Sequence, residues 1–482
     1  MKYIIWVLIG LTLIINLMTL QDGHNWGDDF AQYIINARNI IDGKPFTSGV
    51  MLDKTVIYPP GLPLMLAPVL KIFGLNFKAL KILNIVSWYL SILFLYTLFL
   101  RGQGRRFALM AAVFLACSSF FFVYKQNVLS DIPFFLFFCS SLYTFDRWKD
   151  DCPYTQKRLF FAGFLISISA ALWLRSAGVV MFAASLFYFI FILRDKKATI
   201  ATVTIFMINE LLLFSWMGWQ PGFLVSAGHN PQEFLKSILE HFVTVFEGLW
   251  YFFCPSQTFF SNCFFNGIDP IVRLTAPFVY LMMCWSFIRG LLKKDISYLE
   301  CFSFFYISML IFWSGYGAPY FAVTRLVFPL IPFAFIGVLR ALALMKKFKL
   351  DLDGLIRVSF LLLVLINITN VAIERNFNDD VFVLPVNSEL INWMKLHLKL
   401  NDHFMFCKPR ALALFTDRVG AAPWVIPEQK LHFLQRINDL GISYVVALKD
   451  NDPDGLKVRL GINPRFKLVW ENKGYEIFKF IN

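Results

Sequence analysis

Apolar runs long enough to cross a bilayer recur along this chain, and no other feature constrains its fold as tightly. A spanning helix needs about 20 mostly apolar residues. Runs of that kind fall at 3–20, 79–100, 107–124, 132–145, 159–174, 177–193, 199–218, 272–292, 299–313, 326–345 and 355–373. They predict a polytopic α-helical membrane protein with about eleven spans. Composition agrees: 58% of residues are hydrophobic, 56 are Phe and only 16% are charged, against about 25% charged in soluble domains. A soluble fold is excluded, and so is disorder, which requires low hydrophobicity. The first run, Tyr3–Leu20, follows Met1-Lys2 and lacks a small-residue cleavage site. It reads as a retained helix rather than a signal peptide.

Basic residues orient these spans. Lys2 and the loops 101–106, 147–158, 194–197, 289–294 and 340–357 hold 19 of the 30 Lys and Arg that precede residue 374. By the positive-inside rule they face the cytoplasm. An odd number of spans then puts the C-terminal residues outside, together with two long loops, 21–78 and 219–271. The net charge of +13 is therefore a topology signal and not a nucleic-acid footprint.

Residues 374–482 differ from the rest, holding 28 of the 77 charged residues. Helical runs (Glu389–Leu400, Glu428–Leu440) alternate there with β-like runs (Tyr444–Leu448, Lys467–Trp470, Tyr475–Phe480). A small extracytoplasmic α/β domain is expected after a membrane domain of residues 1–373. In the 219–271 loop, Leu235, Ile238, Leu239, Phe242 and Phe246 recur at helical spacing between Lys236, Glu240 and Glu247. They predict an amphipathic helix over 234–253 on the membrane face.

Five features could carry chemistry. Trp26-Gly27-Asp28-Asp29-Phe30 stands just outside the first span, and a helix through Ala31–Ile41 should follow. There Asp28 and Gln32 lie one turn apart, as do Asp29 and Tyr33, with Asn36 two turns below Asp29. Asp28 could simply cap that helix, but two adjacent carboxylates exceed what a cap needs. Tyr58-Pro59-Pro60-Gly61-Leu62-Pro63 breaks the chain before a helix at the interface. Ser130-Asp131-Ile132-Pro133 opens the fourth span from the outer side, either as a cap or as part of a site with Asp28. Arg175 and Arg325 stand at outer span ends, where they either snorkel or clamp a lipid phosphate. Glu210 lies within the seventh span without an assigned partner.

Other patterns carry less. The eight Cys show no CxxC and the six His no ligand spacing. Cys254 and Cys263 share the outer side and could pair there. Asp450-Asn451-Asp452-Pro453-Asp454-Gly455 begins like a calcium loop, but Gly461 stands where a bidentate Glu belongs, so it reads as a solvated turn.

In order and sidedness these features resemble the GT-C superfamily of integral-membrane glycosyltransferases. The nearest branch comprises bacterial relatives of protein O-mannosyltransferases and of the lipid A aminoarabinose transferase. The resemblance rests on the Asp28-Asp29 pair, Tyr58-Pro59-Pro60-Gly61, Ser130-Asp131-Ile132-Pro133, Arg175, Arg325 before Pro329 and Pro332, and the charged tail. It implies a polyprenyl-phosphate sugar donor, an acceptor that is a glycan, a lipid or a protein, and an outward-facing site in a bacterial inner membrane. Asp28 would act on the acceptor hydroxyl with Asp29 as its partner. Asp131, Tyr58, Gln32 and Tyr33 would position donor or acceptor, and Arg175 and Arg325 would hold the lipid phosphate. No cofactor is implied, and a divalent metal is left open. The chain departs from the aminoarabinose branch at Ala31-Gln32, where that branch carries an Arg, and at Tyr58, where it carries a Lys. Two other classes compete. A flippase should spread polar residues along a path and repeat its halves, and neither is seen. An O-antigen ligase or polymerase would use a large late loop, for which 219–271 is the only support.

Overall fold

The computed structural model describes residues 2–52, 58–150, 153–217, 245, 248, 284–285, 287–293, 295–312, 325–337, 364–365, 367–369, 381–423, 433–449, 460 and 463–481. Helices α1 (Lys2–Met18), α2 (Asp29–Asp42), α3 (Gly61–Phe73), α4 (Phe77–Gly102), α5 (Arg105–Ala116), α6 (Ser119–Tyr124) and α7 (Asp131–Lys149) come first. Then follow α8 (Tyr154–Leu174), α9 (Val179–Phe187), α10 (Lys196–Met217), α11 (Tyr298–Phe312), α12 (Pro385–His397), α13 (Pro409–Thr416) and α14 (Phe433–Asp439). Five strands are described as well: β1 (His403–Met405), β2 (Gly420–Ala421), β3 (Ile442–Leu448), β4 (Phe466–Glu471) and β5 (Tyr475–Phe480).

By contacts the chain groups into two units. The first takes Met1–Thr19, Leu83–Lys125 and Ser130–Arg375, the second Leu20–Ile82, Gln126–Leu129 and Asn376–Asn482.

The described part of the first unit is helical. Phe77–Gly102, Arg105–Tyr124, Tyr154–Leu174, Ser176–Leu193 and Lys196–Met217 are long and apolar enough to cross a membrane. The protein is thus a multi-pass membrane protein. Within the predicted runs at 3–20, 132–145, 299–313 and 326–345 the described helical residues are Lys2–Met18, Asp131–Lys149, Tyr298–Phe312 and Arg325–Gly337. Those at 272–292 and 355–373 lie mostly outside the described residues. The third run is not one straight helix. It breaks at Cys117-Ser118, and the Ser118 hydroxyl accepts from the Phe121 N–H at 3.3 Å to start α6. Packing rests on aromatics: Trp88 is fully buried, stacks on Phe121 at 4.6 Å and donates to the Leu115 carbonyl at 3.1 Å. Buried Lys125 gives its ammonium protons to Asn16 Oδ1 (2.9 Å) and Thr19 Oγ1 (2.5 Å). Gly178, just after Arg175, is required by a close approach, since a Cβ there would lie 2.4 Å from Leu172 Cα.

The second unit combines α2 and α3 with the tail. Its sheet runs β2-β1-β3-β5-β4, parallel across β2, β1 and β3 and antiparallel from β3 through β5 to β4. β3 is an almost continuous buried run, as a central strand between covered faces should be. Edge strand β4 exposes most of its residues, two of them charged. Met405, Val445, Ile437 and Phe478 are part of the core beneath it. α2 ends at Gly43 with φ +65°, a left-handed cap that returns N–H bonds to Asn39 and Ile40.

Candidate active site

The Asp28-Asp29 pair stands at the start of α2, as the sequence predicts. Asp28 occupies the position preceding the helix, but its side chain makes no capping bond to α2. It caps another helix instead. Its Oδ1 accepts from the backbone N–H of Ala411 at 3.1 Å, in the first turn of α13, where the helix dipole favours an anion. Its Oδ2 accepts from Nε of Arg410 at 2.6 Å. Both side chains are largely enclosed, with Asp28 11% and Arg410 13% exposed.

Arg410 gathers the rest of the cluster. Its Nη1 donates to Gln32 Oε1 and lies 3.9 Å from Asp29 Oδ1. Its guanidinium rests 5.5 Å over the ring of Tyr58. The Tyr58 hydroxyl donates to Asp29 Oδ1 at 2.6 Å, and its ring stacks on Tyr33 at 5.0 Å. Burial and then the Asp29 charge push the Tyr58 phenol far above its usual range, so it stays a donor. Burial works against the Arg410 cation, but Tyr58, Asp28 and Asp29 outweigh it and hold the guanidinium charged. Asp28, Asp29, Gln32, Tyr33 and Tyr58 therefore belong to one cluster, with Asn36 buried in the same helix α2.

Arg410 escaped the sequence reading. It is one of 15 basic residues in the tail, and it lies 382 positions from Asp28. A signal existed all the same. Two neighbouring carboxylates with Ala31-Gln32 beside them need a counter-charge, and Lys408-Pro409-Arg410 opens a short apolar helix with Pro in its first turn.

His24 packs against the first turn of α2. It stacks on Phe30 at 3.7 Å, its Nε2 accepts from the Val128 N–H at 3.1 Å, and its Nδ1 contacts the Asn25 carbonyl at 3.1 Å. Nδ1 therefore carries the proton and the ring is neutral. Burial pushes its pKa down to about 3, against the usual 6.5.

Asp131, Arg175 and Arg325 fall in the first unit. Asp131 begins α7, and Ser130 makes no side-chain cap there. Asp131 Oδ1 accepts from Arg175 Nη1 at 2.5 Å, with Asp131 only 3% exposed. Its Oδ2 is buried without a hydrogen-bond partner. Arg325, partly buried, opens a 3-10 turn through Leu330. Glu210 lies on an exposed face of α10. Cys254, Cys263, the 450–455 turn and all of 234–253 except residues 245 and 248 lie outside the described residues.

Residues 58–219 match the family model of dolichyl-phosphate-mannose-protein mannosyltransferases. Among solved structures, ArnT from Cupriavidus metallidurans in the apo state aligns over 99% of this chain and 98% of its own, at 12% identity and TM-score 0.57. The chain shares the fold of that structure. Two further structures share it. ArnT from the same organism bound to undecaprenyl phosphate covers 98% of this chain and 97% of its own, at 12% identity and TM-score 0.52. The Archaeoglobus fulgidus oligosaccharyltransferase complexed with zinc and sulfate covers 92% and 68%, at 14% identity and TM-score 0.52. No curated protein matches the sequence. Among the described residues no three His, Cys, Asp or Glu side chains gather; Asp28 faces the Arg410 guanidinium and Asp29 the Tyr58 phenol.

Proposed function

We propose that the protein is a glycosyltransferase that moves a sugar from a polyprenyl-phosphate carrier to an acceptor hydroxyl. The carrying observation is Asp28, a largely buried carboxylate beside Asp29 at the exit of the first helix of a GT-C fold. It is held in place by other elements and is not spent on capping its own helix. An undecaprenyl-phosphate complex of a protein with the same fold supports the donor class.

In the reaction Asp28 takes the proton of the acceptor hydroxyl. The acceptor oxygen bonds to the anomeric carbon as the carbon–oxygen bond to phosphate breaks, and that electron pair leaves on the phosphate. A phosphate departs as an anion, so no acid is needed on the leaving side, and single displacement inverts the anomeric centre. A hexose or a pentose would be handled alike. Asp29, fixed by Tyr58, orients the base or acceptor, and Gln32 and Tyr33 extend that surface. Asp131 positions a substrate hydroxyl, a role supported by its buried and unpartnered Oδ2. Arg325 and Arg175 are assigned to the lipid phosphate, with Arg175 shared with Asp131. The charge bias of the loops supports an orientation with residues 374–482 outside and the N-terminus in the cytoplasm, and the family resemblance supports a bacterial inner membrane with the donor in its outer leaflet.

The test is release of free polyprenyl phosphate from a membrane lipid extract by detergent-purified protein. Asp28→Asn should lower the rate by about 1,000-fold, in the range of general base catalysis, while leaving insertion normal. Full activity in that variant would remove Asp28 as the base. Movement of labelled glycolipid between liposome leaflets by both proteins, without release, would favour a flippase.

A further inference from the structure

Arg410 and Asp28 meet through a two-point hold. The guanidinium Nε engages Oδ2 and the adjacent Ala411 N–H engages Oδ1. Gripping both oxygens fixes the plane of the carboxylate as well as its place. Each oxygen keeps a second lone pair, so the group can still accept a proton. The same guanidinium reaches Gln32 through Nη1, which fixes the fork against α2. An ammonium, being a point charge, could not hold both groups in one plane.

Charge argues the same way. Asp28 and Asp29 are consecutive and mostly enclosed, and like charges in such a place are costly unless a cation sits between them. Arg410 is that cation, and it arrives on the short tail helix α13.

We propose that Arg410 is a positioning residue for Asp28, so that the reactive carboxylate is aligned only while tail helix α13 is docked on α2. The inference rests on the reading of Asp28 as the base. It makes the tail an obligate part of the site, beyond any part it has in binding acceptor.

The experiment uses the full chain in detergent with the lipid extract and compares Arg410→Ala, Arg410→Lys and Arg38→Gln. Arg38 ties the same two helices elsewhere, donating to the Leu414 carbonyl at 3.4 Å and standing 3.9 Å from Asp417. Arg410→Ala should lower kcat by about 100-fold, the scale of a misaligned reacting group, with the KM for donor little changed. Added guanidinium ion should restore about tenfold by refilling the space, a rescue that a purely structural role would not show. Arg410→Lys should recover little, and Arg38→Gln should stay within about twofold of wild type. Wild-type turnover in Arg410→Ala, with Asp28→Asn inactive, would overturn the proposal and leave the glycosyltransferase reading intact. So would equal losses in Arg410→Ala and Arg38→Gln with no guanidinium rescue. If the wild type itself releases no polyprenyl phosphate, that reading falls instead. The hold is then judged by melting temperatures of Asp28→Asn, Arg410→Gln and the double variant. Non-additive shifts support it, and additive shifts overturn it.

Discussion

Each unit of the molecule carries a carboxylate–arginine pair at the start of a helix, and the two are built differently. In the second unit Asp28 has both oxygens engaged, by an arginine 382 residues away and by a backbone N–H of the same helix. In the first, Asp131 takes an arginine only 44 residues away on one oxygen, and the other is buried with no partner. The difference separates a group that is held from a group that is waiting. A buried acceptor without a donor costs on the order of 1–3 kcal/mol, a loss that a ligand hydroxyl could offset. A carboxylate gripped at both oxygens has its orientation fixed before any substrate arrives.

Removing each arginine is the strongest way to break this comparison. Arg175→Gln leaves Asp131 enclosed with neither oxygen compensated by charge, and should cost about 3–5 kcal/mol of stability. Arg410→Gln leaves Asp28 the Ala411 N–H and should cost less, about 2 kcal/mol. Denaturation in detergent ranks them, and the reverse order would erase the distinction.

Acid probes the second unit alone through His24. Above about pH 6.5 the imidazole is neutral in both folded and unfolded chains. Between about 6.5 and about 3 only the unfolded ring takes a proton, so stability present at neutral pH is lost as the pH falls through that window. By about pH 5 the loss should be roughly 2 kcal/mol. His24→Phe should melt at nearly the same temperature at neutral pH and at about pH 5. An undiminished acid loss in that variant would place its origin elsewhere.

The smallest expected effect comes from Tyr58→Phe, which removes one donor from Asp29 and leaves the ring stack on Tyr33. About 1 kcal/mol of stability should go, with a fewfold fall in release rate. A loss as large as that of Arg410→Gln would mean that Tyr58, and not the arginine, organises the cluster.

These pairs also mark what the sequence could reveal. Asp28-Asp29 was legible because two adjacent acids at the end of an apolar run have no bland use for both. Strands β3, β4 and β5 were legible because their runs alternate or stay apolar over six or seven residues. β1 and β2 were not, since three and two residues carry no period and their place comes from pairing with β3 and with each other. The break at Ser118 was hidden inside a continuous apolar run, where a capping serine looks like any small residue. Arg410 was hidden by distance, because local spacing reports neighbours along a helix and says nothing of a partner delivered by the tail.

That distance also sets a timetable for the growing chain. Ribosomes add about 5–20 residues per second, so Asp28 emerges roughly 20–80 s before Arg410. Through that interval the membrane helices insert while the first carboxylate has no guanidinium to close on it. A chain cut short anywhere before α13 carries the Asp28-Asp29 pair and lacks its lock, so this cluster is among the last things synthesis completes.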